Sequence, residues 1–147
     1  MSPDPLRVAF VCVQNAGRSQ MATAFAEQER RERDLTDEVE LITGGTRPAD
    51  HLHDVVVDAM AEAGYDLSGR TPRAISPEEL ADTDVVVTMG CSAADVCPAT
   101  WSGENRDWDL EDPDGQSPED VRAIREEVRR RVRDFFDEIE QGVPRRV

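Results

Sequence analysis

The sequence predicts an α/β fold in which a parallel sheet carries helices on both faces. Its apolar runs are short and continuous, as in Arg7 to Val13 and Asp84 to Met89, which is typical of strands buried on both sides. Segments with helical periodicity separate these runs, and a helix that connects two parallel strands packs back on their sheet. A chain of 147 residues has the length of about one domain, so we expect residues 1–147 to form one.

Between the first and the third apolar run the sequence predicts a helix, a strand and a second helix. The first helix spans Arg18 to about Arg33, where Ala, Met, Glu and Gln prevail. A short strand spans Val39 to Thr43 and ends at a Gly-Gly pair. The second helix spans Leu52 to Ala63, and Gly64 is well placed to cap its C-terminus.

The C-terminal half continues the alternation. Ser76 is predicted to cap a short helix that has Pro77 at its first position. The "WDL" segment at Trp108 is predicted to be a fourth strand. A long helix begins at Ser117 and ends near Gly142. Its apolar residues recur at steps of three and four, which predicts a stripe in the core: Val121, Ile124, Val128, Val132, Phe135 and Ile139.

The charge balance narrows the classes of partner. The chain has 32 acidic residues against 17 basic ones, all of them arginine, and a formal net charge of −15. Such a surface repels nucleic acid and anionic lipid. No apolar run approaches the roughly 18 residues of a membrane span, and no export signal is present, so we expect a cytoplasmic protein. The acidic surface either only aids solubility or indicates a halophilic host. In a halophilic host, molar salt would screen the repulsion between the carboxylates within about 3 Å.

The three cysteines do not fit a secreted disulfide framework, because their number is odd and no export signal precedes them. Reactive or metal-binding thiols are the alternatives. Cys12 ends the first predicted strand, and Cys91 lies just beyond the third. Ligands of such sheets bind at the carboxyl ends of the strands, so these two thiols are expected at one edge.

The segment "CVQNAGRS" from Cys12 to Ser19 predicts an oxyanion site. A loop that runs into a helix N-terminus directs backbone N–H groups towards one point, and the helix dipole adds partial positive charge there. Arg18 can grip two oxygens of a tetrahedral anion, and Ser19 can hydrogen-bond the sulfur. Cys12 is then a nucleophile, and the alternative is a small buried cysteine that ends a strand. The oxyanion-binding residues are predicted to be Val13, Gln14, Asn15, Ala16, Gly17 and Arg18, with the Asn15 side chain mainly holding the loop in shape.

Several segments together resemble one family. They are "FVCVQNAGRSQMA", "GGTRP", "AGYDLSGRTPR", "DVVVTMGCSAADVCP" and "DWDLEDPDG", and they cover nearly the whole chain. In these segments the chain resembles the low-molecular-weight tyrosine phosphatases, and among them the arsenate reductases that share the anion loop. The resemblance implies a flavodoxin-like sheet of four parallel strands. It also implies that Cys12 is the attacking thiolate, Arg18 the oxyanion clamp and Asp112 the general acid.

An acid at Asp112 also follows from the chemistry. An oxygen displaced from arsenate or from a phosphate ester leaves poorly unless it is protonated, and a carboxylic acid beside the loop can supply that proton. Asp112 precedes Pro113 in a loop that follows the fourth predicted strand.

Cys91 and Cys97 distinguish a reductase from a phosphatase, which needs neither thiol. By resemblance, Cys91 attacks the adduct on Cys12 and releases arsenite, and Cys97 then moves the disulfide to the surface. A thioredoxin-like protein or a low-molecular-weight thiol would reduce it. A zinc pair and chance remain alternatives for these thiols. Phosphatases of this fold usually carry aromatic residues after their "DP", whereas this chain reads "DPDGQ".

We expect no metal and no cofactor. Bacterial reductases of the family that this chain resembles bind potassium through carboxylates. Thr23 and Arg73 stand at the matching positions of this chain, so no such potassium site is expected. His51 and His53 are predicted to be solvated or to cap a helix. A phosphatase that hydrolyses phosphomonoesters and an inactive oxyanion-binding module remain the alternative functions.

Overall fold

A computed structural model of the chain describes residues 4–91, 96–97 and 101–142. Its strands form one parallel sheet in the order β2-β1-β3-β4. The strands are β1 (Leu6–Cys12), β2 (Val39–Gly45), β3 (Val85–Met89) and β4 (Glu104–Asp107). The helices are α1 (Arg18–Glu32), α2 (Asp54–Glu62), α3 (Pro77–Leu80) and α4 (Pro118–Glu140). The predicted α/β fold with a four-stranded parallel sheet is therefore confirmed.

The two faces of the sheet bury different cores. Alternate residues of β1, among them Val8 and Phe10, face a large core shared with α1, α2 and α4. Ala9 and Val11 face a smaller core that includes Leu80 of α3. Helices thus pack on both faces, which explains why the strands are apolar without alternation.

The long helix α4 buries the predicted stripe. Val121, Ile124, Val128, Val132 and Phe135 are buried, and Ile139 is partly buried against the same core. Phe136 is also buried, which the spacing did not predict. Among the helices in the described ranges, none combines the length and the apolar character needed to cross a bilayer.

The fourth strand ends directly before the "WDL" segment in which the sequence predicts it. β4 has the sequence "ENRD", and it pairs with β3 at the edge of the sheet. A short, polar edge strand has no apolar pattern by which it can be recognised. Trp108 follows β4, and its side chain packs in the large core with Phe10 and Phe135 at centroid distances of 5.8 and 6.4 Å.

Three strands end together at the edge of the sheet where the site lies. Cys12 pairs with Gly45 of β2 on one side and with Met89 of β3 on the other. The prediction that β2 ends at Thr43 is therefore too short by the Gly-Gly pair. The segments that leave β1, β2 and β3 emerge side by side, at the point where the strand order reverses.

Candidate active site

Residues 12–18 connect β1 to α1, and we call them the anion loop. Segment 46–53, which leaves β2, runs along the outside of this loop. Its N–H groups donate to four loop carbonyls: Thr46 to Cys12 (3.2 Å), Arg47 to Val13 (2.8 Å), Ala49 to Gln14 (3.0 Å) and His53 to Ala16 (3.1 Å). Because these carbonyls are directed outwards, the loop can present N–H groups to its interior.

Cys12 is 2% exposed, and its sulfur lies inside the anion loop. It accepts a bond from the Asn15 backbone N–H at 3.2 Å, and it lies 2.8 Å from the Ser19 hydroxyl. That hydroxyl oxygen already accepts a bond from Asn15 Nδ2 at 2.7 Å, so its proton is available for the sulfur. The loop therefore places two hydrogen-bond donors around one sulfur.

Asn15 holds the loop in a shape that few residues adopt. Its φ is 51°, in the left-handed region that asparagine tolerates better than most residues. Its amide group also donates to Thr43 Oγ1 at 3.0 Å, and its Oδ1 accepts bonds from Gln20 Nε2 and from the Arg73 N–H, both at 3.0 Å. The side chain therefore joins the anion loop to α1, β2 and the segment before α3.

Arg18 and Asp112 approach the same pocket from different elements. Arg18 begins α1, and its Nη1 donates to Leu110 O at 3.1 Å. Its Nη2 lies 3.8 Å from Asp112 Oδ2. Asp112 is half exposed, and its Oδ1 accepts a bond from the Asp114 N–H at 3.0 Å. The structure thus brings together Cys12 and the two charged residues that the sequence predicts for the site.

The pocket above the sulfur includes one side chain, His53, that the sequence did not assign to it. It is lined by Cys12, Gln14, Ala16, Gly17, Arg18, His53 and Asp112. Gln14 Oε1 is buried and has no hydrogen-bond partner in the described part of the chain. His53 occupies the N-cap position of α2, as predicted, although its side chain makes no capping bond. The prediction of a solvated ring is wrong for His53, because the side chain is 16% exposed and lines this pocket. No sequence signal distinguishes it from His51, which is exposed.

The chain leaving β3 passes directly beside the Arg18 guanidinium. Gly90 has a φ of +82°, and a Cβ there would lie 2.8 Å from both terminal nitrogens of Arg18. Cys91 follows, and its Sγ contacts the Val11 carbonyl at 3.6 Å, one residue before Cys12. The fold therefore brings the first two cysteines of the sequence to neighbouring strand ends.

Cys97 lies farther along on the smaller core. It packs there with Cys91 and Trp101 beside Val96, and burial raises the pKa of its thiol. Trp101 is anchored by a 2.7 Å bond from its Nε1 to Thr83 O. Residues 92–95 and 98–100, which surround Cys97, lie outside the described residues.

Two larger cavities lie elsewhere in the described structure. Larger grooves of about 560 and 460 Å³ lie along α1 and contain no cysteine among their lining residues. Within the described ranges, no group of three or more His, Cys, Asp or Glu side chains could hold a metal ion.

Comparison with known proteins identifies the family. The sequence matches the low molecular weight phosphotyrosine protein phosphatases over residues 7–145. The chain belongs to this family.

Individual members of the family are similar to this chain in sequence over most of its length. A Halobacterium salinarum protein, provisionally named an arsenate reductase, is 58% identical over 90% of this chain and 92% of its own length. A Synechocystis protein named glutaredoxin arsenate reductase is 35% identical over 90% of this chain and 98% of its own length.

Among solved structures, a Corynebacterium glutamicum thioredoxin-dependent arsenate reductase superposes with a TM-score of 0.76 at 33% identity. The match covers 96% of this chain, which spans 64% of the length of the Corynebacterium chain.

Proposed function

We propose that this enzyme reduces arsenate to arsenite through its three cysteines. The observation that carries the proposal is the position of Cys91, which follows β3 next to the strand that ends at Cys12 and directly after the glycine against Arg18. A phosphatase of this fold needs one thiol, whereas a reductase must supply two electrons and so needs a second. The relatives named as arsenate reductases support the same assignment.

The first half of the reaction uses the anion loop. Loop N–H groups and the Arg18 fork bind the oxygens of arsenate, and the Cys12 thiolate attacks arsenic. Asp112 donates a proton to the departing oxygen, which leaves as water. The product is an adduct in which arsenic(V) is bonded to Cys12 Sγ.

The second half is a thiol relay. Cys91 loses its proton and attacks Cys12 Sγ, the sulfur–arsenic bond breaks, and its electron pair reduces arsenic(V) to arsenic(III), which leaves as arsenite. Cys97 then attacks Cys91, Cys12 leaves as a thiolate, and a Cys91–Cys97 disulfide remains. In sum, one arsenate and two thiols give arsenite, a disulfide and water.

An external thiol must reduce that disulfide. We expect a thioredoxin-like protein or a low-molecular-weight thiol in this role. The Corynebacterium relative is described as thioredoxin-dependent, and the name of the Synechocystis relative contains glutaredoxin. Turnover with each class of thiol, measured on one preparation, distinguishes the two.

Disulfide mapping by mass spectrometry tests the relay. After arsenate treatment we expect a Cys91–Cys97 bond in the native chain and a Cys12–Cys91 bond in the Cys97→Ser variant. Cys91→Ser should release no arsenite through a Cys12–Cys91 disulfide, but it should retain any aryl phosphate hydrolysis, because water resolves that adduct.

The same experiment addresses the alternative function in this family. If arsenate oxidises no cysteine while aryl phosphates are cleaved briskly, the enzyme is a phosphomonoester phosphatase. If neither substrate reacts, the pocket belongs to an inactive oxyanion-binding protein.

We also infer adaptation to a salt-rich cytoplasm. The net charge of −15 repels itself at low ionic strength, and the relative at 58% identity comes from Halobacterium salinarum. We expect the melting temperature to rise steadily from low to molar salt. An unchanged midpoint across that series would rule the adaptation out.

A further inference from the structure

We propose that His53 is a positioning residue, which holds Asp112 over the anion loop for proton transfer. This inference rests on the proposed function, in which Asp112 protonates the departing oxygen. It assigns a task to a pocket side chain that neither the motifs nor the spacing singled out.

The backbone of His53 is fixed to the anion loop. Its N–H donates to Ala16 O at 3.1 Å, and it immediately precedes α2. Its side chain is 16% exposed and lines the pocket together with Cys12 and Asp112. The ring therefore has a defined position relative to the sulfur before any substrate binds.

The ring reaches the loop that carries the acid. His53 Nδ1 lies 3.8 Å from Asp114 Oδ1, within ion-pair distance. The Asp114 N–H in turn donates to Asp112 Oδ1 at 3.0 Å. The ring therefore lies beside the one residue whose backbone is bonded to the acid in the described structure, so contacts run from His53 to Asp114 and from Asp114 to Asp112.

Steric contacts at Gly17 bring the same elements together. A Cβ on Gly17 would lie 2.8 Å from Pro113 Cγ and 3.4 Å from His53 Cδ2. The proline beside the acid and the histidine ring thus both pack on the anion loop where it has no side chain. A glycine at this position lets the acid loop approach the sulfur.

Arg18 holds the acid loop on the other side. Its Nη1 donates to Leu110 O at 3.1 Å, and its Nη2 lies 3.8 Å from Asp112 Oδ2. Asp112 itself is 54% exposed, so burial does not fix it in place. Because proton transfer requires hydrogen-bond reach of the departing oxygen, a carboxyl group held from both sides transfers its proton more often than one that moves freely.

The experiment measures arsenate-dependent thiol loss in a single turnover, which needs no external reductant. We expect His53→Ala to lower the limiting rate about tenfold, with little change in the arsenate concentration that gives half the limiting rate. Asp114→Asn, an exposed change that spares the pocket, should lower that rate about threefold. His51→Ala is the matched control and should behave as the native enzyme.

A double variant tests whether His53 acts through the acid. Asp112→Asn should slow the reaction by about a hundredfold or more. His53→Ala added to Asp112→Asn should then cost nothing further, because no acid remains to be positioned. A full additional tenfold loss in the double variant would overturn the proposal, as would a weakened apparent affinity for arsenate at an unchanged limiting rate in His53→Ala.

The same variants separate this inference from the proposed function. If Asp112→Asn slows the reaction and His53→Ala does not, the positioning role fails and the reductase stands. If arsenate oxidises no thiol in the native enzyme, the reductase fails, and phenyl phosphate, whose leaving group also needs the acid, serves as the substrate for the same comparison. Inertness towards both substrates would overturn both proposals.

Discussion

The anion loop follows β1, and the chain from Gly90 onwards follows the neighbouring strand β3. Cys12 in the anion loop and Cys97 beyond β3 nevertheless have opposite surroundings. The sulfur of Cys12 is buried and lies within hydrogen-bond distance of two donors. Cys97 instead packs at the margin of an apolar cluster, and burial there raises the pKa of its thiol. Hydrogen-bond donors surround the first sulfur, whereas the apolar surroundings of the second favour its protonated thiol.

This difference gives the proposed relay a direction. In thiol–disulfide exchange, the sulfur that is better stabilised as a thiolate leaves more readily. When Cys97 attacks the Cys12–Cys91 bond, Cys12 departs into donors that are already in place. The disulfide is therefore expected to end on Cys91 and Cys97, away from the oxyanion pocket.

The most severe test of the comparison removes the Cys12 sulfur. Cys12→Ser should lower both arsenate reduction and any ester hydrolysis by about three orders of magnitude or more, because a serine hydroxyl is scarcely ionised near neutral pH. Initial rates measure the effect, and an unchanged circular dichroism spectrum establishes that the fold persists. Retained turnover in this variant would refute the assignment of the nucleophile.

Removing one donor to the sulfur should have a smaller effect. Ser19→Ala deletes the hydroxyl 2.8 Å from Cys12 Sγ. A hydrogen bond to a charged group contributes about 1.5–3 kcal/mol, so the rate of Cys12 attack should fall about tenfold to a hundredfold. Arsenate-dependent thiol loss in a single turnover measures this rate.

A matched control for Ser19→Ala lies one turn along α1. Thr23→Val removes a hydroxyl that bonds the Ser19 carbonyl at 2.7 Å and leaves the sulfur untouched. Its rate should change less than about threefold. Equal losses in the two variants would mean that Ser19 acts by supporting the helix and not by stabilising the thiolate.

The apolar surroundings of Cys97 predict a pH dependence for the last step of the relay. Since burial raises the pKa of this thiol above its ordinary value, its thiolate fraction is still growing at mildly alkaline pH. Decay of the Cys12–Cys91 disulfide, followed by acid quench and mass spectrometry, should accelerate up to about tenfold per pH unit there.

A substitution beside Cys97 sharpens that test. Val96 is 4% exposed and packs in the same small core. Val96→Thr adds a polar group there and should move the profile of disulfide decay to lower pH. A profile that is flat in the native enzyme would contradict the assigned role of Cys97 as the final nucleophile.

The smallest expected effect concerns the contact between the two segments. Gly90→Ala places a methyl group against the Arg18 guanidinium. The change should raise the activation free energy by about 1 kcal/mol, which lowers the rate roughly fivefold. Gly64→Ala is the control, because Gly64 has a similar φ of +93° but open space around its Cβ position. Both variants should lose about 1–2 kcal/mol of stability from the left-handed backbone, and only Gly90→Ala should lose activity.

The sequence by itself determined the fold class and the order of its elements. Continuous apolar runs indicated strands buried on both faces, and the stripe from Val121 to Phe135 indicated the helix that covers them. These signals are readable because burial imposes a period on neighbouring residues. The anion loop and Ser19 were readable for a related reason, since they lie within eight consecutive residues, 12–19.

Only the tertiary structure decided which distant residues complete the pocket. β4 was displaced in the prediction because a polar edge strand obeys no apolar period. His53 and His51 look alike in the sequence, yet one ring faces Cys12 and the other is exposed. The contact of Gly90 with Arg18 joins elements that are 72 residues apart in the numbering. Such contacts depend on how strand ends meet at the edge of the sheet, and local sequence periodicity contains no information about that meeting.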